Sequence, residues 1–120
     1  MKNLVEEDGV FVTEMMIVND KSEVVLSHVL VDTSSKHTVI SSESAIKAGL
    51  ILDHEQEGKS ENKEAGFIKL GNITIHDFQI KVKDADQLNG YDGVLGVDFL
   101  KKVGAVINLG SLTIYKANVK

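Results

Sequence analysis

The segment Val29-Leu30-Val31-Asp32-Thr33-Ser34-Ser35-Lys36-His37-Thr38-Val39-Ile40-Ser41 decides how the rest of the chain is read. An apolar, mostly β-branched run ends in a carboxylate, a polar turn follows, and a second apolar pair comes directly after it. A strand that stops at an acid and a turn presents a reactive group at the rim of a sheet, where loops on a rigid scaffold carry chemistry. Asp32 is the candidate catalytic residue.

Outward from that segment the pattern is mainly β. Gly9 to Val18 reads as a strand, Asn19-Asp20-Lys21-Ser22 as a turn, and Glu23 to Val31 as the second strand of a hairpin. Strict alternation places Val24, Leu26, His28 and Leu30 on one face, and Val25, Ser27, Val29 and Val31 on the other. Both faces are mostly apolar, so this strand is expected to be central. After the polar turn, Thr38-Val39-Ile40 forms a small strand. Ser41 to Gly49 is a short helix with a serine cap and a glycine stop. Asp53 to Glu64 is polar and reads as a loop or mobile hairpin. Phe67 to Leu70 and Ile73 to Ile75 flank a two-residue turn at Gly71-Asn72, and Phe78 to Val82 is a further strand. A polar loop, Asp84 to Asp92, leads to Gly93-Val94-Leu95-Gly96. Val97 to Val103 is a second short helix stopped by Gly104, and a hairpin from Ala105 to Tyr115 closes the pattern. Strand, turn and short helix occur at Val29 to Gly49 and recur loosely at Val94 to Gly104, which is compatible with a pseudo-twofold axis.

Composition narrows the function classes. The 120 residues suffice for one domain with a modest core, and the net charge of −5 disfavours nucleic acid and anionic membranes as partners. No apolar run approaches the roughly 20 residues of a membrane span. Met1 to Asp8 is acidic and has no signal-peptide core. There is no cysteine, hence no disulfide or thiolate metal site, and the expected compartment is a reducing cytoplasm.

With these elements placed, Asp32-Thr33-Ser34-Ser35 followed by Thr38-Val39-Ile40 resembles the active-site loop of retropepsin-like aspartic proteases, whose pattern is Asp-Thr-Gly-Ala/Ser and then Thr, an apolar residue and Ile. Asp92-Gly93-Val94-Leu95-Gly96-Val97-Asp98-Phe99-Leu100 is similar to their second signature, an apolar pair and glycine leading into a helix. The resemblance spans nearly the whole of residues 1–120. It implies a retropepsin-like closed β-barrel, the acid protease fold, with one or two short helices. It also implies an aspartic endopeptidase working as a homodimer on peptide or protein substrates, with Asp32 of each subunit activating one water. Thr33, Ser34 and Ser35 would support the active-site loop, and Val94, Leu95 and Gly96 would pack beneath it. Glu55 to Ala65, with Gly58, Lys59 and Ser60 at its tip, would be the flap over a bound peptide. No metal or cofactor is implied.

Two departures bear on activity. Ser34 stands where the family has glycine; its amide is kept, but a Cβ and a hydroxyl are added beside the carboxylate, at about 1 kcal/mol if the position requires positive φ. The flap carries only Gly58 and Gly66 where relatives tend to have a glycine pair. The alternative reading is therefore a catalytically inactive homodimer that binds peptides or partner proteins. Other signals are weaker. Asp98 reads as a helix-start residue. His28, His37, His54 and His76 lack metal-ligand spacing, and Asp84-Ala85-Asp86 followed by Asn89-Gly90 has the wrong register for a calcium loop.

Overall fold

Four long strands, paired as two antiparallel hairpins, form the frame of the fold. The computed structural model describes residues 2–20, 22–50 and 61–117. Short strands Lys2–Asn3 (β1) and Val5–Glu7 (β2) precede the antiparallel hairpin of Val10–Asn19 (β3) and Ser22–Val31 (β4). Then come Val39–Ser41 (β5), the helix Ser42–Lys47 (α1), Glu61–Leu70 (β6) and Ile73–Lys83 (β7). A single 3-10 turn, Ala85–Leu88, leads to Gly93–Leu95 (β8), the helix Val97–Lys102 (α2), and the hairpin Ala105–Asn108 (β9) with Thr113–Lys116 (β10).

The strands β3-β4-β8-β5-β7-β6 pair in that order, and β6 returns to β3 through Ile17↔Ile68, closing a six-stranded mixed barrel. The pairs β4·β8 and β5·β7 are parallel and the others antiparallel. Closure removes the sheet edge, and β2 extends the free part of β3. The seam requires Gly66: a Cβ there would stand 2.7 Å from the Val18 carbonyl oxygen. Gly66 is thus a barrel residue rather than a flap glycine.

Strict alternation along β4 does not hold. Thr13 pairs with Val29 but Met15 pairs with Leu26, so β4 carries one extra residue around Ser27 and His28. This bulge changes the phase of the strand. Leu26 and Val29, three apart, both enter the core, and Leu30 turns outward. Inside the barrel Met15, Ile17, Ile40, Ile68, Ile80 and Leu95 are almost fully buried. Phe99 of α2 meets Phe78 edge to face, with ring centres 5.6 Å apart; removing such a ring typically costs about 3–5 kcal/mol.

The helices end as their sequences indicate. The Ser41 hydroxyl accepts from the Ser44 N–H at 3.1 Å. At the other end the Leu50 N–H reaches the Ala45 carbonyl and the Gly49 N–H reaches Ile46, with Gly49 at φ +75. This is a Schellman closure, which satisfies carbonyls the helix leaves open. Three expectations need correcting. The polar stretch through Glu64 is not all loop, because β6 begins at Glu61 and pairs with β7 along its length. The two strands expected between Ile73 and Val82 are one, which runs on through Asp77 despite its positive φ of 54. Val5–Glu7 and Lys2–Asn3 pair as short strands although neither was read as one.

The second sheet, β1-β10-β9, packs on the barrel. Leu112 stands at φ +53 in its hairpin, a conformation that costs a non-glycine residue about 1–2 kcal/mol. Its side chain packs against the main core and its carbonyl accepts from the Leu4 N–H at 2.7 Å, which offsets that cost.

Candidate active site

Strands β4 and β8 run side by side in the same direction, with Val31 opposite Leu95, so their ends deliver two turns to the same place. One is the loop from Asp32, the other the glycine turn that opens α2. Their backbones are laced together. The Asp32 N–H donates to the Leu95 carbonyl at 3.0 Å, the Val97 N–H to Ser35 at 2.8 Å, and the Asp98 N–H to Lys36 at 3.3 Å. A Cβ on Gly96 would lie 2.5 Å from the His37 carbonyl oxygen and 2.9 Å from that of Ser35. Only glycine fits there, and the reason is proximity, since its φ is −98. Val94, Leu95 and Gly96 are buried beneath the Asp32 loop.

A buried hydroxyl ties the layers together. Thr38 is fully buried; its Oγ1 accepts from the Gly96 N–H at 3.1 Å and donates to Asp98 Oδ1 at 2.7 Å. The same carboxylate oxygen accepts the Phe99 N–H at 2.7 Å. Asp98, in the first turn of α2, therefore accepts one of the helix's open N–H groups and also anchors the Asp32 loop through Thr38. Sequence reasoning had only the helix-start role, because the partner lies 60 residues away.

Asp32 itself is half-buried at the rim. Its Oδ1 accepts two bonds from Ser34, one from the backbone N–H at 2.9 Å and one from the hydroxyl at 2.5 Å. The Ser35 N–H closes the turn onto the Asp32 carbonyl at 3.2 Å. Ser34 is not in the positive-φ region, so substitution of glycine introduces no backbone strain here. Its added hydroxyl is nonetheless on the carboxylate. Ser35 points elsewhere: its Oγ donates to the His37 carbonyl at 3.0 Å. Thr33 is exposed, with no side-chain hydrogen bond among the described residues. The flap residues Gly58, Lys59 and Ser60 lie outside the described residues.

Beside Asp32 opens a cleft of about 220 Å³. Its floor is a small apolar cluster of Val39, Leu88 and Val94, joined by Leu30 and Tyr91. Leu30 reaches this surface because of the bulge in β4. Nothing in the sequence pattern marked Leu88, which stood in a stretch read as polar loop. Among the described residues there is no group of three or more His, Asp or Glu side chains arranged to hold a metal ion. His28 is engaged elsewhere, with Nε2 2.7 Å from Glu7 Oε1 and its ring against Tyr91.

No family model and no curated protein matches this chain. Solved structures do. A retropepsin-like aspartic protease from Rickettsia conorii is 18% identical, with 91% of this chain and 83% of that chain covered and a TM-score of 0.65. The retroviral protease-like domain of Ddi1 from Leishmania major is also 18% identical, with 99% and 90% covered and a TM-score of 0.62. The chain has the retropepsin-like fold, over nearly its whole length.

Proposed function

We propose that this chain is an aspartic endopeptidase active as a homodimer, with one Asp32 from each subunit. The observation that carries the proposal is the placement of Asp32: a carboxylate at the end of a barrel strand, braced by a backbone lattice from the glycine turn, at the edge of a part-apolar cleft. Each chain supplies one such loop, and the chemistry needs two carboxylates. Three features support pairing of subunits. Thr33 is exposed beside the loop without a hydrogen-bond partner among the described residues, and Val97 exposes apolar surface on the adjacent turn. The β1-β10-β9 sheet also ends on β9, whose outer edge is unpaired among the described residues and can be extended by another strand.

In the dimer the two carboxylates are too close for both to be charged, and they share one proton. The ionised member takes a proton from a water held between them, and the water oxygen attacks the scissile carbonyl carbon. The protonated member donates to the carbonyl oxygen. Collapse of the tetrahedral intermediate breaks the C–N bond: the departing amine takes a proton from the protonated member and a hydroxyl of the intermediate returns one to the ionised member, so the dyad again holds a single proton. The lack of cysteine fits work in a reducing cytoplasm.

A second reading, an inactive dimer that binds peptides in the same cleft, is favoured by one observation, the Ser34 hydroxyl on Asp32 Oδ1. Digestion of a diverse peptide mixture between about pH 4 and 7, read by mass spectrometry, separates the two. Cleavage by the unaltered protein that vanishes in Asp32→Asn is the expected result. A dimer that binds peptides and cleaves none across that range refutes the enzymatic reading.

A further inference from the structure

We infer that Lys83 selects the ligand of this cleft, which is a peptide carrying a branched aliphatic residue with an acidic residue within two positions of it. The inference rests on the reading of the cleft as a peptide site, not on its being catalytic. Lys83 is the last residue of β7 and the one cationic side chain on the cleft wall among the described residues. It is half-buried, and its ammonium makes no ion pair or hydrogen bond among the described residues. The carboxylate that follows it in the chain is occupied, since Asp84 Oδ1 accepts from the Ser42 hydroxyl at 3.3 Å. Asp86 is exposed on the 3-10 turn and is not part of the cleft lining.

The cleft is therefore two-sided. Its apolar floor suits one aliphatic side chain, and its volume of about 220 Å³ leaves little room for a second. Its wall carries two charged side chains, Asp32, whose Oδ1 is held by Ser34, and Lys83, whose ammonium has no ion-pair partner among the described residues. An extended peptide puts residues i and i+2 on the same side, so one of them can cover the floor while the other reaches Lys83. The chain as a whole carries a net charge of −5, which repels acidic peptides at long range. Preference for an acid is then confined to one position of the bound peptide and is expressed in its residence time, not in the rate of encounter.

The test selects from a random decapeptide library at pH 6.5 on three immobilised dimers: Asp32→Asn, Asp32→Asn with Lys83→Met, and Asp32→Asn with Lys83→Glu. Lys83 ends a strand with its ammonium unpaired, so its replacement is compatible with folding, which circular dichroism verifies for each variant. Expected is an enrichment of Asp or Glu of about 5-fold two positions away from an aliphatic residue in the first variant. It disappears in the Lys83→Met variant and turns to Lys or Arg in the Lys83→Glu variant. Absence of an acidic preference, or one that survives Lys83→Glu, overturns the inference, as does failure of the Asp32→Asn dimer to capture any peptide. The unaltered protein is then given the selected peptides. Acidic selection without cleavage refutes the endopeptidase reading and leaves the role of Lys83 standing; cleavage without acidic preference does the reverse.

Discussion

Replacing Gly96 with alanine tests whether the glycine turn supports the Asp32 loop by close backbone contact. The new methyl carbon would lie 2.5 Å from the His37 carbonyl oxygen, 2.6 Å from its carbonyl carbon and 2.9 Å from the Ser35 carbonyl oxygen. An ordinary contact needs about 3.4 Å, so the loop must retreat by roughly 0.9 Å. All the near atoms are backbone, and no side-chain rotation relieves the overlap. Overpacking of this kind costs about 1–3 kcal/mol. The retreat also stretches the bonds from Val97 and Asp98 to the loop carbonyls and from Gly96 to Thr38, each worth about 0.5–1.5 kcal/mol. The total is a loss of about 2–5 kcal/mol, measured by urea unfolding. On the proposed endopeptidase reading, a displacement near 1 Å in the loop that carries Asp32 is expected to lower cleavage roughly 100-fold in whatever fraction remains folded. Gly104→Ala is the control: its φ of +63 imposes strain of about 1 kcal/mol, but no atom lies within 4 Å of the added carbon, and cleavage per folded molecule stays unchanged. If Gly96→Ala unfolds at the same urea concentration as the unaltered chain and cleaves equally well, the loop is not supported in this way.

Thr38→Val keeps the shape but removes the buried hydroxyl between Gly96 and Asp98; leaving the Gly96 N–H without an acceptor is expected to destabilise by about 1–3 kcal/mol in urea unfolding. Ser41→Ala removes the cap of α1 and is expected to lose about 1 kcal/mol in the same assay, with cleavage per folded molecule unchanged. Ser34→Gly retains the amide bond to Asp32 and frees Oδ1 from the hydroxyl; peptide cleavage is expected to rise, and a fall would show that the hydroxyl positions the carboxylate.

How much of this was legible in the sequence depended on the range of each signal. Local signals held. The Ser41 cap, the Gly49 and Gly104 stops and the Gly71-Asn72 turn are each fixed by one or two residues, and each stands where its residues put it. The Asp32 loop and the glycine turn were legible as separate motifs. Their contact was not, because it depends on β4 and β8 running parallel across 64 positions of chain. Polar character misled twice, at Glu61 to Glu64 and at Leu88. In the first, barrel pairing with β7 overrides a weak local preference for strand, and in the second a lone leucine has no periodicity to announce its burial.

The bulge in β4 explains why the catalytic candidate and its cleft belong to one surface. Without the extra residue, strict alternation would keep Leu26, His28 and Leu30 on the same face. Leu26 is buried in the barrel, so Leu30 would follow it inward, and Asp32, two residues further on, would share that side. The shift at Ser27 and His28 reverses the phase after Leu26. Val29 takes the core position, Leu30 joins Val39 and Val94 outside the barrel, and Asp32 lines the cleft beside them. The bulge is held from outside as well: the His28 N–H donates to Asp92 Oδ2 at 3.1 Å, and the Asp92 N–H returns to the His28 carbonyl at 2.8 Å. Asp92 directly precedes β8, so the residues that fix the phase of one rim strand also fix the start of the other. One irregularity thus sets which way the carboxylate faces and aligns it with the turn that braces it.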